Sequence, residues 1–169
     1  NTVSIAVWVP FNEGWGQFDA CLIAEKLRKI DSSRLIDSAS GWHDQHCGDF
    51  KSRHVYYKRY RLKPDRYDRI HALTEFGGYS CPIEGHMASD KLFGYRMYAN
   101  TQSLTTAFDA LYRSEVLPSV QLGLSASIYT QVSDVEDEIN GLFTYDRASI
   151  KLDSKIVSQI NAEMRKLGG

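Results

Sequence analysis

Ser4-Ile5-Ala6-Val7-Trp8-Val9-Pro10-Phe11-Asn12-Glu13-Gly14-Trp15-Gly16-Gln17 is the stretch on which the reading of the fold turns. Its first six residues form a nearly unbroken apolar run that stops at a proline, which suits a strand buried on both faces better than an alternating surface strand. A parallel sheet is therefore expected. Beyond the turn at Gly14 and Gly16, Ala20, Ile23, Ala24, Leu27 and Ile30 recur at helical spacing, and Asp31-Ser32-Ser33 closes the segment. A strand followed by a helix is half of a βαβ unit. Apolar runs at residues 34–39, 54–57 and 70–76, each bounded by polar or glycine-containing loops, read as further strands. Leu104, Ala107, Phe108 and Leu111 mark a second amphipathic helix, and residues 124–130 a fifth strand. Ile156, Ile160, Met164 and Leu167 mark a terminal helix that Asp153 would cap. Residues 41–52 and 58–69 show no helical period and are expected as long irregular loops. This order predicts an α/β architecture, either a doubly wound sheet or part of a (β/α)8 barrel.

Composition narrows the function classes. Among 169 residues, 20 Lys and Arg oppose 21 Asp and Glu, leaving a formal net charge of -1. That balance supplies no field to steer nucleic acid or an anionic membrane surface. No apolar run approaches the ~20 residues that a membrane-spanning helix requires, so a soluble chain is expected, with its compartment open. Cys21, Cys47 and Cys81 are odd in number and widely spaced, without a CxxC pair. Idle or buried thiols are expected rather than a disulfide framework or zinc knuckle. The chain opens at Asn1 and its first methionine is Met87, which suggests a region upstream.

In α/β architectures chemistry collects at the carboxyl ends of strands. Two glutamates stand there. Glu13 follows the first apolar run, and Glu75 closes the fourth in Leu73-Thr74-Glu75-Phe76-Gly77-Gly78. One such glutamate is most simply a helix cap or the partner of an arginine. Two at the ends of strands of one sheet can converge, and two facing carboxyl groups are the minimum equipment for cleaving a glycosidic bond. Trp15, Trp42, Tyr56, Tyr57 and Tyr79 fall in strand-end regions, and flat rings with polar tips suit the apolar faces and hydroxyl edges of a sugar. Asn12, immediately before Glu13, is placed to donate to a substrate hydroxyl. His54 and Gln131 complete the substrate-binding candidates.

Several motifs, taken in order, carry a more specific likeness. Val9-Pro10-Phe11-Asn12-Glu13-Gly14-Trp15-Gly16-Gln17, Asp37-Ser38-Ala39-Ser40-Gly41-Trp42 and Thr74-Glu75-Phe76-Gly77-Gly78 are the first three. Tyr129-Thr130-Gln131, Asp134, Glu136, Asn140-Gly141-Leu142 and Tyr145-Asp146-Arg147 complete the set. Together, from about residue 3 to residue 147, they resemble the catalytic domain of glycoside hydrolase family 2, which includes β-galactosidases, β-glucuronidases and β-mannosidases. The resemblance implies a (β/α)8 TIM barrel with Glu13 as acid/base at the end of strand four and Glu75 as nucleophile at the end of strand seven. It further implies Asn12 on the sugar 2-hydroxyl and a strand-six tyrosine on the nucleophile, for which Tyr56 is preferred because it would share the facing of His54.

A whole barrel takes ~250 residues, so residues 1–169 would be its C-terminal portion, strands four to eight at ~30 residues each. The earlier strands and accessory β domains would lie in a parent chain, and a homo-oligomer is left open. The implied function is a retaining β-glycosidase acting on terminal β-linked sugars by double displacement. Its carboxyl groups should lie ~5 to 5.5 Å apart, whereas ~8 Å or more would indicate inversion. The alternative is a carbohydrate-binding or structural fragment, inactive in isolation because part of the sugar-binding wall is absent and strand edges are open.

No cofactor is expected. His43, Asp44, His46, Cys47 and Asp49 cluster, but the second ligand pair of a zinc site is not there, and a polar loop at a cleft mouth is the better reading. Asp134, Glu136, Asp137 and Glu138 lack the alternation and glycine of a calcium loop, which leaves a solvated turn or a loop lining the sugar site. The basic run at residues 58–63 is short and offset elsewhere, as befits a solvated face.

Overall fold

Residues 2–168 are described in the computed structural model. β1 (Val7–Trp8) pairs in parallel with β2 (Leu35–Ile36). Pro10, which has no N–H to give, limits the regular ladder. The two chains nevertheless continue side by side. Asp37 N donates to Trp8 O at 2.9 Å, Ser40 N to Phe11 O at 2.9 Å, and Glu13 N to Ser40 O at 2.7 Å. α1 (Ala20–Ile30) lies between them in sequence, buries Ala20 and Ala24, and carries Arg28 and Lys29 in its last turn, where cations oppose the helix dipole.

β3 (Phe50–Val55), β4 (Ile70–Gly77) and β7 (Leu124–Thr130) form a three-stranded sheet in the order β3-β4-β7. The third strand thus starts earlier than the apolar run at 54–57 suggests, taking in residues expected as loop. Its buried face is Phe50, Ser52 and His54. Two of those three are polar, so hydrophobic alternation could not reveal them. β5 (Tyr79–Ser80) and β6 (Arg96–Met97) form a further parallel pair that no apolar run announces.

The expected (β/α)8 barrel segment does not form. The strands make separate sheets of two, three and two strands, whereas a barrel needs an unbroken ladder from each strand to the next. The runs at 4–9 and 34–39 give only two paired residues each, and among the described residues no ladder joins β2 to β3.

The chain divides into two compact units. The first comprises residues 1–54, 62–75 and 124–127, and the second residues 55–61, 76–123 and 128–169. In the first, Ile36, Phe50, Ala72 and Leu73 are buried. Cys21 and Cys47 are joined by a disulfide, which corrects the expectation of idle thiols for that pair and ties α1 to the loop after β2. Cys81 alone is a buried free thiol.

The same loop is anchored by charge. Arg69, almost wholly buried, pairs with Asp44 at 2.8 Å and Asp65 at 2.9 Å, and Lys51 Nζ reaches Asp44 at 2.8 Å. Burial pushes the Asp44 carboxyl up, but the Arg69 and Lys51 hydrogen bonds outweigh it and hold it well below the carboxylate range. Arg69 holds Asp65 down at about 2. Both carboxyls are thus more acidic folded than unfolded, so their stabilisation is complete above about pH 4 and is lost as pH falls, for Asp65 through about 2 and for Asp44 at lower pH still. Arg69→Gln should move the acid-unfolding midpoint, followed by tryptophan fluorescence, to higher pH. A midpoint unchanged from wild type would show that these pairs contribute nothing.

In the second unit, α2 (Thr101–Leu111) is capped by Asn100, whose side chain accepts from Ser103 N. It continues through a π-helical turn at Tyr112–Val116 into α3 (Leu117–Gln121). The wider turn precedes Pro118, whose missing N–H cannot serve a regular ladder. Phe76, Phe108, Tyr112 and Tyr129 pack edge-on or tilted at 4.6 to 5.6 Å between ring centres. α4 (Ser154–Leu167) is capped by Asp153, as expected, and buries Ile160. No helix among the described residues is long and apolar enough to cross a membrane.

Candidate active site

The first unit brings Glu13, His54 and Glu75 together. Each arrives for a local reason. Glu13 is set by the parallel run of residues 7–13 beside 35–40, its N–H held by Ser40 O at 2.7 Å. Its backbone adopts φ 55, a left-handed conformation that costs a non-glycine residue of order 1 kcal/mol or more and persists only where surrounding structure enforces it. His54 ends the buried face of β3, and Glu75 lies near the end of β4.

His54 Nδ1 lies 3.2 Å from Glu13 Oε1 and 3.2 Å from Glu75 Oε2. The imidazole is fully buried, while the Glu13 and Glu75 side chains keep 22% and 31% of their surface in solvent. One carboxylate oxygen of each glutamate and the histidine nitrogen all lie within 4.8 Å of one another. Behind the ring, His54 Nε2 meets Ser40 Oγ at 3.1 Å, Ser40 Oγ donates to Thr74 Oγ1 at 2.8 Å, and Thr74 Oγ1 donates to Arg53 O at 3.4 Å. Gly41 makes room for the ring: at φ +96, a Cβ there would stand 2.4 Å from His54 Cγ. Glycine is required at that position on both counts.

Asp37 supports this arrangement from the loop after β2. It is 2% exposed, accepts from Ser52 Oγ at 2.9 Å through Oδ1, and leaves Oδ2 without a hydrogen bond. Burial pushes its carboxyl above the usual range, opposed by the hydrogen bond from Ser52.

Aromatic rings flank the carboxyl pair in the same unit. Trp15 is 69% exposed and meets the Trp42 ring edge-on at 6.4 Å and the His43 ring at 5.8 Å. Trp42 in turn lies 6.2 Å from His54 and donates Nε1 to His54 O at 3.4 Å. Both tryptophans thus leave ring surface open to solvent. Asn12 is exposed and makes a parallel bridge with Ser40, so it stands at the same edge.

The other sequence candidates belong to the second unit. Tyr56 lies one residue past the end of β3 and is buried, in step with the alternation of buried residues along that strand. Its hydroxyl bonds Thr130 Oγ1 at 3.2 Å and its ring stacks on Tyr95 at 3.8 Å. Gln131 donates to Asn140 Oδ1 at 2.8 Å and to Glu138 Oε2 at 3.1 Å. Asp134 is not on a solvated turn: it is buried, paired with Lys151 Nζ at 2.7 Å.

Cys47 and Asp44, from the sequence cluster at 43–49, are engaged by the disulfide and by Arg69. Glu13, His54 and Glu75 form the one His/Cys/Asp/Glu grouping of metal-binding spacing among the described residues. Its 3.2 Å nitrogen–oxygen separations are those of hydrogen bonds, and among the described residues no fourth side chain of these types joins it. What sequence reasoning missed were Ser40 and Thr74, which sit inside the quoted motifs yet have no chemistry of their own until they stand behind a histidine.

The chain matches no protein-family model and no curated protein sequence.

Proposed function

We propose that this chain carries the reaction centre of a retaining β-glycosidase of the β-galactosidase type, with Glu75 as nucleophile and Glu13 as acid/base. The observation that carries the reading is the pair of carboxylates whose facing oxygens lie within 4.8 Å. Retaining enzymes keep their carboxyls at about 5 to 5.5 Å, whereas inverting enzymes separate them by about 6.5 to 9.5 Å to admit a water. The resemblance of the residue 9–17, 37–42 and 74–78 motifs to glycoside hydrolase family 2 points to the same chemistry.

In the first step Glu75 attacks the anomeric carbon while Glu13 gives its proton to the departing oxygen, leaving a glycosyl ester on Glu75. In the second, Glu13 takes a proton from water, the hydroxide oxygen bonds to the anomeric carbon, and the Glu75 carboxylate is released. Trp15 and Trp42 offer flat apolar surface for a sugar ring, and Asn12 a donor for its hydroxyls.

The test is hydrolysis of 4-nitrophenyl β-galactoside, β-glucoside, β-glucuronide and β-mannoside, with the first-formed sugar anomer read by proton NMR. Nitrophenol release with the β-anomer appearing first is expected for one of them. The α-anomer appearing first would overturn the double displacement. Sugar binding without release of nitrophenol would favour a carbohydrate-binding module instead.

A further inference from the structure

We propose that His54 is a positioning residue that holds the acid/base proton of the site between Glu13 and Glu75. This rests on the glycosidase reading. One chain of contacts fixes where its hydrogens lie. Arg53 O is a carbonyl and can only accept, so the Thr74 hydroxyl hydrogen points to it at 3.4 Å. Thr74 Oγ1 then accepts from Ser40 at 2.8 Å. With its one hydrogen committed, Ser40 Oγ must accept from His54 across 3.1 Å, which makes Nε2 an N–H.

The opposite nitrogen faces two carboxylates at 3.2 Å each. A bare Nδ1 would set its lone pair against oxygen lone pairs on both sides. A protonated carboxyl at one of them would cure only half of that. An N–H shared between the two oxygens satisfies both, so the ring carries hydrogens on both nitrogens and the charge of a cation. The titratable groups around it are Glu13 from the loop after β1, Glu75 from β4 and Asp37 from the loop after β2.

The proton balance follows. When substrate displaces solvent, the Nδ1 proton moves to Glu13, giving a neutral ring and a carboxylic acid next to an ionised Glu75. Glu13 passes that proton to the leaving oxygen. The proton Glu13 later takes from water returns to Nδ1, and the site is reset with nothing gained or lost. Once the proton has moved, Glu13 and Glu75 stand in opposite protonation states, the division that double displacement requires.

Two measurements test this. Long-range proton–nitrogen NMR of the ring at neutral pH, assigned with His54→Gln, should show both nitrogens protonated in the free wild-type chain. A spectrum with one bare nitrogen overturns the proposal. The second is kcat for His54→Gln against two leaving groups, with circular dichroism confirming the fold. A Gln amide donates hydrogen bonds but cannot lend a proton. Methyl β-glycoside turnover, which needs the departing oxygen protonated, should fall by about 10²-fold. Nitrophenyl glycoside turnover, which needs this far less, should fall much less. Equal loss on both substrates would reduce His54 to packing and overturn the proposal. A doubly protonated ring in a chain that hydrolyses no β-glycoside would support the proton assignment while overturning the enzymatic reading beneath it.

Discussion

Glu75→Gln is expected to lower kcat/KM on aryl β-glycosides by on the order of 10⁴-fold or more, since the amide cannot form the glycosyl ester and loss of a nucleophile removes most of the chemical acceleration. Its carboxylate sits near the end of β4, 3.2 Å from His54 Nδ1, with 31% of the side chain open to solvent. A 2-deoxy-2-fluoro β-glycoside with a good leaving group should accumulate on the wild-type chain as a covalent adduct. Peptide mapping should place it on Glu75, and Glu75→Gln should carry none. Glu13→Gln should behave differently. Under the proposed roles it loses the acid/base but keeps the nucleophile, so nitrophenyl substrates should still form the ester and added azide should release it as the β-glycosyl azide. Full activity in Glu75→Gln, or an adduct mapped to Glu13, would exchange or remove these roles.

The largest effect on stability is expected at Lys151. Its side chain is fully buried and donates to Asp134 Oδ1 at 2.7 Å, Ile139 O at 2.8 Å and Cys81 O at 3.2 Å, one acceptor for each ammonium hydrogen. Asp134 Oδ1 also accepts from Gly141 N at 2.7 Å. Gly141 is itself obligatory, because a Cβ there would come within 2.2 Å of Asp134 N. Lys151→Met keeps most of the linear stem but strands a buried carboxylate and two carbonyls. Breaking a buried pair from one side costs about 3 to 5 kcal/mol, to be read from urea unfolding. Asp134→Asn added to Lys151→Met should recover part of that loss, because the stranded charge is then gone. A loss under about 1 kcal/mol in the single variant would show that water reaches the pair and that its burial is not what holds the loop.

Sequence and structure agree where apolar periodicity is strong. The helices at 20–30 and 101–111, the strands at 70–77 and 124–130 and the Asp153 cap all follow from local pattern. They part where burial is polar. β3 hides Ser52 and His54, and a period-2 reading of hydrophobicity skips such a strand. The same holds for Asp134 and Lys151, whose charges suggest a solvated turn until each is seen to satisfy the other. The disulfide between residues 26 apart in sequence escaped for another reason: with three cysteines, spacing does not reveal which pair meets.

What the sequence determined by itself was the chemistry on offer: two glutamates following apolar strands, glycine turns behind them and tryptophans nearby. Those features are local, because strand ends and turns are set by a few neighbouring residues. Only the tertiary structure decided that the strands gather into three separate small sheets rather than a closed barrel, since ladder continuity depends on partners distant in sequence. It also set the Glu13, His54 and Glu75 atoms within 4.8 Å of one another. A hydrogen bond acts over about 3 Å, and Asn12-Glu13, His54 and Thr74-Glu75 come within that range only through the pairing of residues 7–13 with 35–40 and of β3 with β4.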